Sequence, residues 1–431
     1  MDRLNDFSNL TAKAVVQAAQ AYGTPAYIYD ESLILARCRE CLNMPHAYGL
    51  TVRYAMKANS NRTLLKIISR AGLHIDASSL NEVLRARIAG IPEEHIMLTT
   101  QEVSEGNDMQ VLQDLILRGL KYNVCSLRQL RLIGDFAAQL GVPLGIRVHP
   151  GVGSGESVTR NTGDDYSCFG VHLRDVETAL EYAAAKGIKF RHVHEHIGSG
   201  GDPDVWRRNI DRELGILERY FPDAETVSFG GGLKEARVPG ERAADVNSLS
   251  QYAKERIEDF YARTGRKLKM EIEPGTYITA NAGYAITRVI DKKSTGQFDF
   301  IITDGGMELN ARPLMYGSKH PFYIVSNDGV LKSSEFDGKT HGSRVVVAGR
   351  CCENSDMQTL TPDGYADPRA MAEPDIGDLC VIGGTGAYCS SMAPFNYNSH
   401  PQIPEILFTE AGKLELIRKR QTLEQILENE I

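Results

Sequence analysis

Eight short β-rich runs recur along the first two thirds of the sequence, interspersed with helical patterns. Strands are predicted at Val52–Lys57, His74–Ala77, Ile96–Thr99, Lys121–Cys125, Leu144–Val148, Arg191–His196, Thr226–Phe229 and Leu268–Glu273. Helical patterns fall between them at Arg62–Arg70, Leu80–Ala89, Asn107–Leu117, Leu127–Leu140, Val176–Ala185 and Asp204–Tyr220. Strands alternating with helices imply a parallel sheet, because a parallel neighbour needs a long crossover. Eight such units close into a (β/α)8 barrel of the TIM type.

The chain has 431 residues, whereas a barrel of this kind needs about 250. After Gly275 the rhythm changes. Gly283–Ile290, Phe298–Thr303, Phe322–Ile324, Arg344–Ala348 and Leu379–Ile382 read as strands with turns between them and little helix. The predicted organisation is a barrel over 31–275 and a C-terminal β domain over 276–431, with an N-terminal segment, 1–30, that could belong to either. The Gly-, Ser- and Asp-rich connection 151–170 would lie at the barrel mouth, and a connection that long inside a domain is usually functional or mobile. The stretch 234–247 is a second candidate excursion.

A formal charge of -8 argues against a general nucleic-acid binder. Arg418, Lys419 and Arg420 form the one compact basic cluster and read as a solvated face. No apolar stretch is long enough to span a bilayer, and MDRLNDFSNL lacks a signal-peptide pattern, so a cytoplasmic protein without membrane contact is expected. Eight cysteines in this length do not form a disulfide framework. Cys38 and Cys41 make a single CxxC inside a predicted helix and read as packing rather than zinc ligands.

In a barrel the chemistry sits at the C-terminal ends of the strands. There the sequence places Lys57, Asp76, Arg147, His196, Glu273 and the run Gly230-Gly231-Gly232. A lysine ending an apolar strand can be desolvated until its amine is neutral and nucleophilic, as a Schiff base requires. It can equally snorkel to solvent. Three glycines after strand seven let backbone N–H groups approach a phosphate, although a bare GGG is also an ordinary flexible turn. Alternation puts Glu271 and Glu273 on one face, and a carboxylate at strand eight can keep a pyridinium nitrogen protonated or serve a structural ion pair. His194 and His196 also share a face. With Glu273 they could in principle hold zinc, but that leaves Lys57 and the glycines unexplained, and a flat His196 ring against a planar cofactor, with Ser199 near its phosphate, accounts for more.

Taken together, YAMKANSN, HIDASSLNEV, HEHIGSG, SFGGGL and EPG in the barrel, then DGGM, ARPLMYG, GRCCENSD, GAY and NYN, resemble the fold-type III pyridoxal 5′-phosphate (PLP) decarboxylases, specifically the diaminopimelate decarboxylase branch. The resemblance implies PLP as cofactor and no metal, and it places the segment 1–30 as contributing to the β domain. Lys57 would form the internal aldimine, His196 would stack on the ring and Glu273 would contact the pyridine nitrogen. Asp76, Ser199, Gly230, Gly231, Gly232, Gly275 and Tyr388 would complete the cofactor site. Cys352 would protonate the carbanion left by carbon dioxide, a role suited to a thiol acid, although a lone cysteine is more often a buried apolar residue. Arg312, Tyr316, Glu353 and Tyr388 would bind the substrate, a small amino acid. The resemblance also implies a homodimer in which Cys352 and Glu353 enter the partner's active site.

The pattern is broken at Thr276, where the branch has an arginine that helps to bind substrate. Losing a bidentate carboxylate partner is costly. Arg350 stands in place of a proline and could compensate; His400 replaces an arginine, and Cys168 a lysine. Meso-diaminopimelate is the first expectation for the substrate. Lysine, ornithine, arginine, a carboxylated polyamine such as carboxynorspermidine, or a larger aminoacyl conjugate remain open. So do a non-catalytic PLP-binding homologue and, less well matched, a racemase of the same architecture.

Overall fold

The computed structural model describes residues 3–149, 151, 162–163, 165–198, 202–337 and 342–431. The chain divides into two compact units. One comprises Arg37–Lys234 with Arg242–Gly275, the other Met1–Ala36, Glu235–Glu241 and Thr276–Ile431.

The first unit is a closed barrel of eight parallel strands: Leu50–Ala55, His74–Ala77, Ile96–Thr99, Lys121–Val124, Leu144–His149, Phe190–His194, Thr226–Ser228 and Lys269–Ile272. Closure comes from the eighth strand pairing with the first and the fourth with the fifth. The helices start where the sequence offers caps. Ser79, Ser126 and Asn61 accept hydrogen bonds from first-turn N–H groups, and Gly141 and Gly187 end helices in the left-handed conformation that glycine adopts without steric cost. The helix Val246–Thr264 is not announced by the sequence pattern. Its buried positions include Ser250 and Ala253 beside Val246, Leu249, Ile257 and Phe260, so its apolar stripe is diluted. The predicted excursion 234–247 is coil only as far as Asp245, where the Asp245 side chain caps that helix. Most of the connection 151–170 lies outside the described residues.

Small or polar residues occupy much of the barrel interior. Arg53 makes a bidentate pair with Glu271, at 2.7 and 3.1 Å. His192 bridges Glu271 (3.2 Å) and Asn123 (2.8 Å), and Asn123 donates to Thr99 (2.8 Å). The Glu271 carboxylate is thereby filled from two sides, which helps to offset the cost of burying the pair, while Arg53 Nη1 has no hydrogen-bond partner among the described residues.

The second unit is built on a ten-stranded mixed sheet. The N-terminal strand Ala26–Asp30 lies inside it, antiparallel to Gly283–Ser294 and parallel to Glu405–Phe408. The helix Ala12–Tyr22 packs Val15, Ala18 and Ala19 onto Ile28, Ile286, Val381 and Ile406. Cys38 and Cys41 lie buried on the helix Glu31–Leu42. No helix among the described residues is long and apolar enough to cross a membrane.

Candidate active site

In the barrel unit five of the eight strands, including the first, sixth and eighth, end one or two residues earlier than the sequence suggests, and the site residues follow them. Strand one closes at Ala55, whose N–H donates to the Pro274 carbonyl (3.2 Å), and the chain turns into a 3-10 segment, Met56–Ala58. Tyr54 Oη donates to the Asn59 carbonyl across this turn (3.1 Å). Lys57 therefore projects from a turn and its side chain is exposed. Of the two orientations open to it from the sequence, burial at the barrel mouth or extension to solvent, this is the exposed one. The Lys57 charge nonetheless acts on Asp76, Glu82 and His196.

His194 is the last residue of strand six and Glu273 directly follows strand eight. His194 Nε2 donates to Glu273 Oε2 (2.8 Å), and Ser228 Oγ to Glu273 Oε1 (3.1 Å). Burial opposes ionisation of Glu273, yet the histidines around it, His194 foremost, outweigh burial and hold its carboxyl down at about 2. Burial lowers His194, so the ring is neutral at physiological pH and carries its proton on Nε2.

His196 lies two residues beyond the strand. Gly231 N–H donates to its Nδ1 (2.9 Å), which fixes the ring and leaves the proton on Nε2. Burial, then the charges of Lys57 and Arg147, push His196 well below the usual histidine value. His194 Nε2 and His196 Nδ1, the nitrogens nearest Glu273 and the glycines, are thus used otherwise, while His194 Nδ1 has no hydrogen-bond partner among the described residues.

The three glycines are dictated by space. A Cβ at Gly230 would stand 2.4 Å from the Glu195 carbonyl oxygen, at Gly231 2.7 Å from that of Glu273, and at Gly232 2.5 Å from that of Gly198. Gly230 and Gly232 also have positive φ, +65° and +92°. The result is a shelf of bare backbone beside His196 and Glu273. Asp76 is buried, its Oδ1 has no hydrogen-bond partner among the described residues, and burial followed by the Glu273 charge raises its carboxyl well above the usual range. Gly275 closes the unit two residues after Glu273. Ser199 lies outside the described residues.

The β unit carries two clusters. Arg312 is buried, and its guanidinium lies over the rings of Tyr316 (5.6 Å) and Tyr388 (5.7 Å) while Nη2 reaches Ser318 Oγ (3.4 Å). Tyr388 sits at φ +57°, a conformation that a bulky residue adopts only when its surroundings enforce it. The second cluster is a loop. Cys352 is exposed, its N–H donating to Asn398 Oδ1 (2.8 Å), and Glu353 is exposed, accepting from Tyr397 Oη (3.2 Å). The buried, apolar cysteine of this pair is Cys351. Hydrogen bonds from Ser355 N–H and Tyr397 hold the Glu353 carboxyl below its usual value. Arg350 binds Glu308 (3.2 Å) and is therefore already engaged with a carboxylate. Glu308, Cys351 and Asp356 come close enough to suggest a metal cage. Backbone N–H groups of Gly306, Met307 and Cys351 already fill the two carboxylates.

Sequence reasoning missed the donors that orient the site: Ser228 on Glu273, Gly231 on His196 and the Asn398 acceptor that holds Cys352. The period-two alternation of strand seven could have indicated Ser228, because it puts that residue on the interior face. The other two pairings join segments distant in sequence and leave no local signal.

Residues 34–280 match the family model for the pyridoxal-binding domain of pyridoxal-dependent decarboxylases. The chain is 32% identical to the diaminopimelate decarboxylase of Escherichia coli K12 over 98% of both chains. It is 31% identical to that of Streptomyces coelicolor, covering 98% of this chain and 92% of the relative. A diaminopimelate decarboxylase crystal structure superposes with a TM-score of 0.88 at 31% identity over 99% of both chains. The Helicobacter pylori diaminopimelate decarboxylase complexed with L-lysine superposes at 0.80 with 25% identity, covering 96% of this chain and 98% of that one.

Proposed function

We propose, on the premise that this chain belongs to the pyridoxal-dependent decarboxylases and to their diaminopimelate decarboxylase branch, that it converts meso-2,6-diaminopimelate to L-lysine and carbon dioxide. Family membership makes it a PLP-dependent decarboxylase acting on an amino acid. The observation that carries the finer reading is full-length similarity to diaminopimelate decarboxylases together with an Arg312 guanidinium held between two tyrosines.

The residues present fit PLP. A phosphate needs backbone donors without side chains in the way, and no Cβ can stand at Gly230–Gly232; Gly230 and Gly231 spend their N–H groups on Ser228 Oγ and His196 Nδ1, so the donor left to it there is Gly232 N–H. A pyridinium nitrogen needs a carboxylate that stays ionised, and Glu273 is held so by His194 and Ser228. Lys57 offers the amine. The chemistry that PLP supplies there is an electron sink for the pair left when a carboxylate departs as carbon dioxide.

The chain's own residues do the rest. Glu273, kept charged, holds a proton on the ring nitrogen and so maintains the sink. His196, locked by Gly231, presents a flat neutral face. Asp76, Gly275 and Tyr388 complete the cofactor site, with Ser199 assigned to it by family likeness alone. Arg312 and Tyr316 orient the substrate with Tyr388 and Glu353. Cys352 delivers a proton to the carbon that lost its carboxylate, and its exposure on a loop suits a group meant to reach into another molecule. We therefore assign the working form as a cytoplasmic homodimer in which Cys352 and Glu353 complete the partner's site. Arg350 is a weak candidate to replace the arginine absent at Thr276, since Glu308 already occupies it.

The test is carbon dioxide release by the PLP-loaded protein offered meso-diaminopimelate, lysine, ornithine and arginine separately. Preference for meso-diaminopimelate, with lysine as product, supports the reading. Preference for another amine overturns the substrate and makes Thr276 the first specificity residue to examine.

A further inference from the structure

Behind strand six lies a set of buried polar groups that the proposed reaction does not use. His194 points into the barrel, so Glu195, the next residue, points out toward the helix Pro203–Tyr220. That helix presents Asn209 and Glu213, one turn apart. Glu195 and Glu213 have no exposed surface and Asn209 almost none. All four carboxyl oxygens, and both the Oδ1 and Nδ2 of Asn209, lack a hydrogen-bond partner among the described residues, as does Trp206 Nε1 on the same helix. The two carboxyls are near enough to act on each other electrically but do not hydrogen-bond.

Buried polar groups without a partner are costly, and more so if charged, so the set calls for a shared proton or for a bridging donor and acceptor. A cation would satisfy the oxygens but would repel the N–H groups of Asn209 and Trp206. Water can accept from those donors and donate to the carboxyls, which suits a mixed set. Two carboxyls buried this deeply and acting on each other also cannot both ionise readily.

We propose that Glu195 and Glu213 are a water-bridged acid pair holding at least one proton, and that Glu195 is a positioning residue for His194 and His196. The lever is short. Glu195 lies between the ring that binds Glu273 and the ring that binds Gly231, its N–H donates to the Ser228 carbonyl (3.0 Å), and its own carbonyl oxygen abuts Gly230. Ionising the pair demands new solvation on the outer face of strand six, where Arg212 is the charge set against it, and any backbone shift at Glu195 that supplies it carries both histidines along. Burial pushes Glu195 up to about 8, with Arg212 opposing. Burial, then Glu195 and Glu273, raise Glu213. Glu195 is therefore the member of the pair that discharges at mildly alkaline pH.

This inference rests on the reading of His196 as cofactor-facing, and the experiment separates the two. PLP affinity is measured against pH by fluorescence titration for wild type, E195Q and E213Q, alongside infrared spectra at pH 7. Above the midpoint, wild-type affinity falls by roughly tenfold per pH unit relative to E195Q, whose amide imitates the protonated acid. The infrared carbonyl band of a protonated carboxyl is present in wild type and absent from the E195Q/E213Q double variant. Should E195Q fail to fold, E213Q serves: it loses its share of that band and shifts the alkaline midpoint. Parallel affinity curves, no protonated-carboxyl band, or a stoichiometric metal ion found by elemental analysis of the holoenzyme would each overturn the proposal. Absence of PLP binding at pH 7 would instead overturn the functional reading.

Discussion

His194 Nε2 and Glu273 Oε2 lie 2.8 Å apart in the barrel, joining the ends of strands six and eight. Both groups make the barrel acid-sensitive. Burial lowers His194, so below about pH 6.5 the unfolded chain takes up a proton that the folded chain resists. Glu273 is held at about 2, so its contribution is complete above the unfolded value, about 4.3, and is lost as pH falls toward 2. The two slopes have the same sign. The urea midpoint is expected to fall from pH 7 to pH 4, beginning near about 6.5. His194→Asn, which keeps a donor for Glu273, should flatten the upper part. A midpoint constant between pH 7 and 5 would contradict this.

Glu273→Gln keeps the shape and removes the charge. Its expected effect is a loss in kcat of roughly a hundredfold or more, the scale seen when one preset charged partner is removed from a water-poor site. PLP should remain bound. Steady-state kinetics with full cofactor occupancy checks this.

Gly231→Ala is a test of space. The new methyl would meet the Glu273 carbonyl oxygen at 2.7 Å and His196 Cε1 at 3.2 Å. Overpacking of this kind costs about 1–3 kcal/mol. PLP affinity should fall by about tenfold or more, read by cofactor titration, while far-UV circular dichroism stays native.

Much of this architecture was legible in the residues, and the reason is periodicity. Eight parallel strands reveal themselves as short apolar runs between amphipathic helices, and all eight fall within two residues of their predicted ends. The errors are physical. Lys57 reads as the end of a strand because Tyr54-Ala55-Met56 is apolar; the hydrogen bond from Ala55 to Pro274, from the other end of the barrel sequence, stops the strand first. The helix Val246–Thr264 was hidden by small and polar residues on its buried face. In the β unit, Leu331–Ser334, Arg369–Met371, Glu405–Phe408 and Leu414–Arg418 were missed as strands, being short and defined by pairing more than by pattern. The polar ladder Arg53–Glu271–His192–Asn123 was equally invisible, since each link joins different strands.

That ladder gives a stability prediction. Arg53→Ala leaves Glu271 buried without its bidentate partner, and such breaks cost about 3–5 kcal/mol. The double variant Arg53→Met, Glu271→Leu should recover a large part of that loss. Chemical denaturation of the three proteins checks the order.

The shared-site assignment is tested by mixing. If Cys352 completes the partner's site, co-refolded Lys57→Ala and Cys352→Ala chains, each inactive alone, regain roughly a quarter of wild-type activity, because about half the dimers carry one intact site. A mixture that stays inactive while light scattering shows mixed dimers would contradict it.

The account stands on Lys57 as the residue that carries the cofactor at the barrel mouth. Borohydride reduction of the PLP-loaded protein, followed by peptide mass mapping, addresses it directly. The account predicts the reduced cofactor on Lys57, and none on Lys57→Ala. Attachment to a different lysine, or no stable attachment, would contradict it.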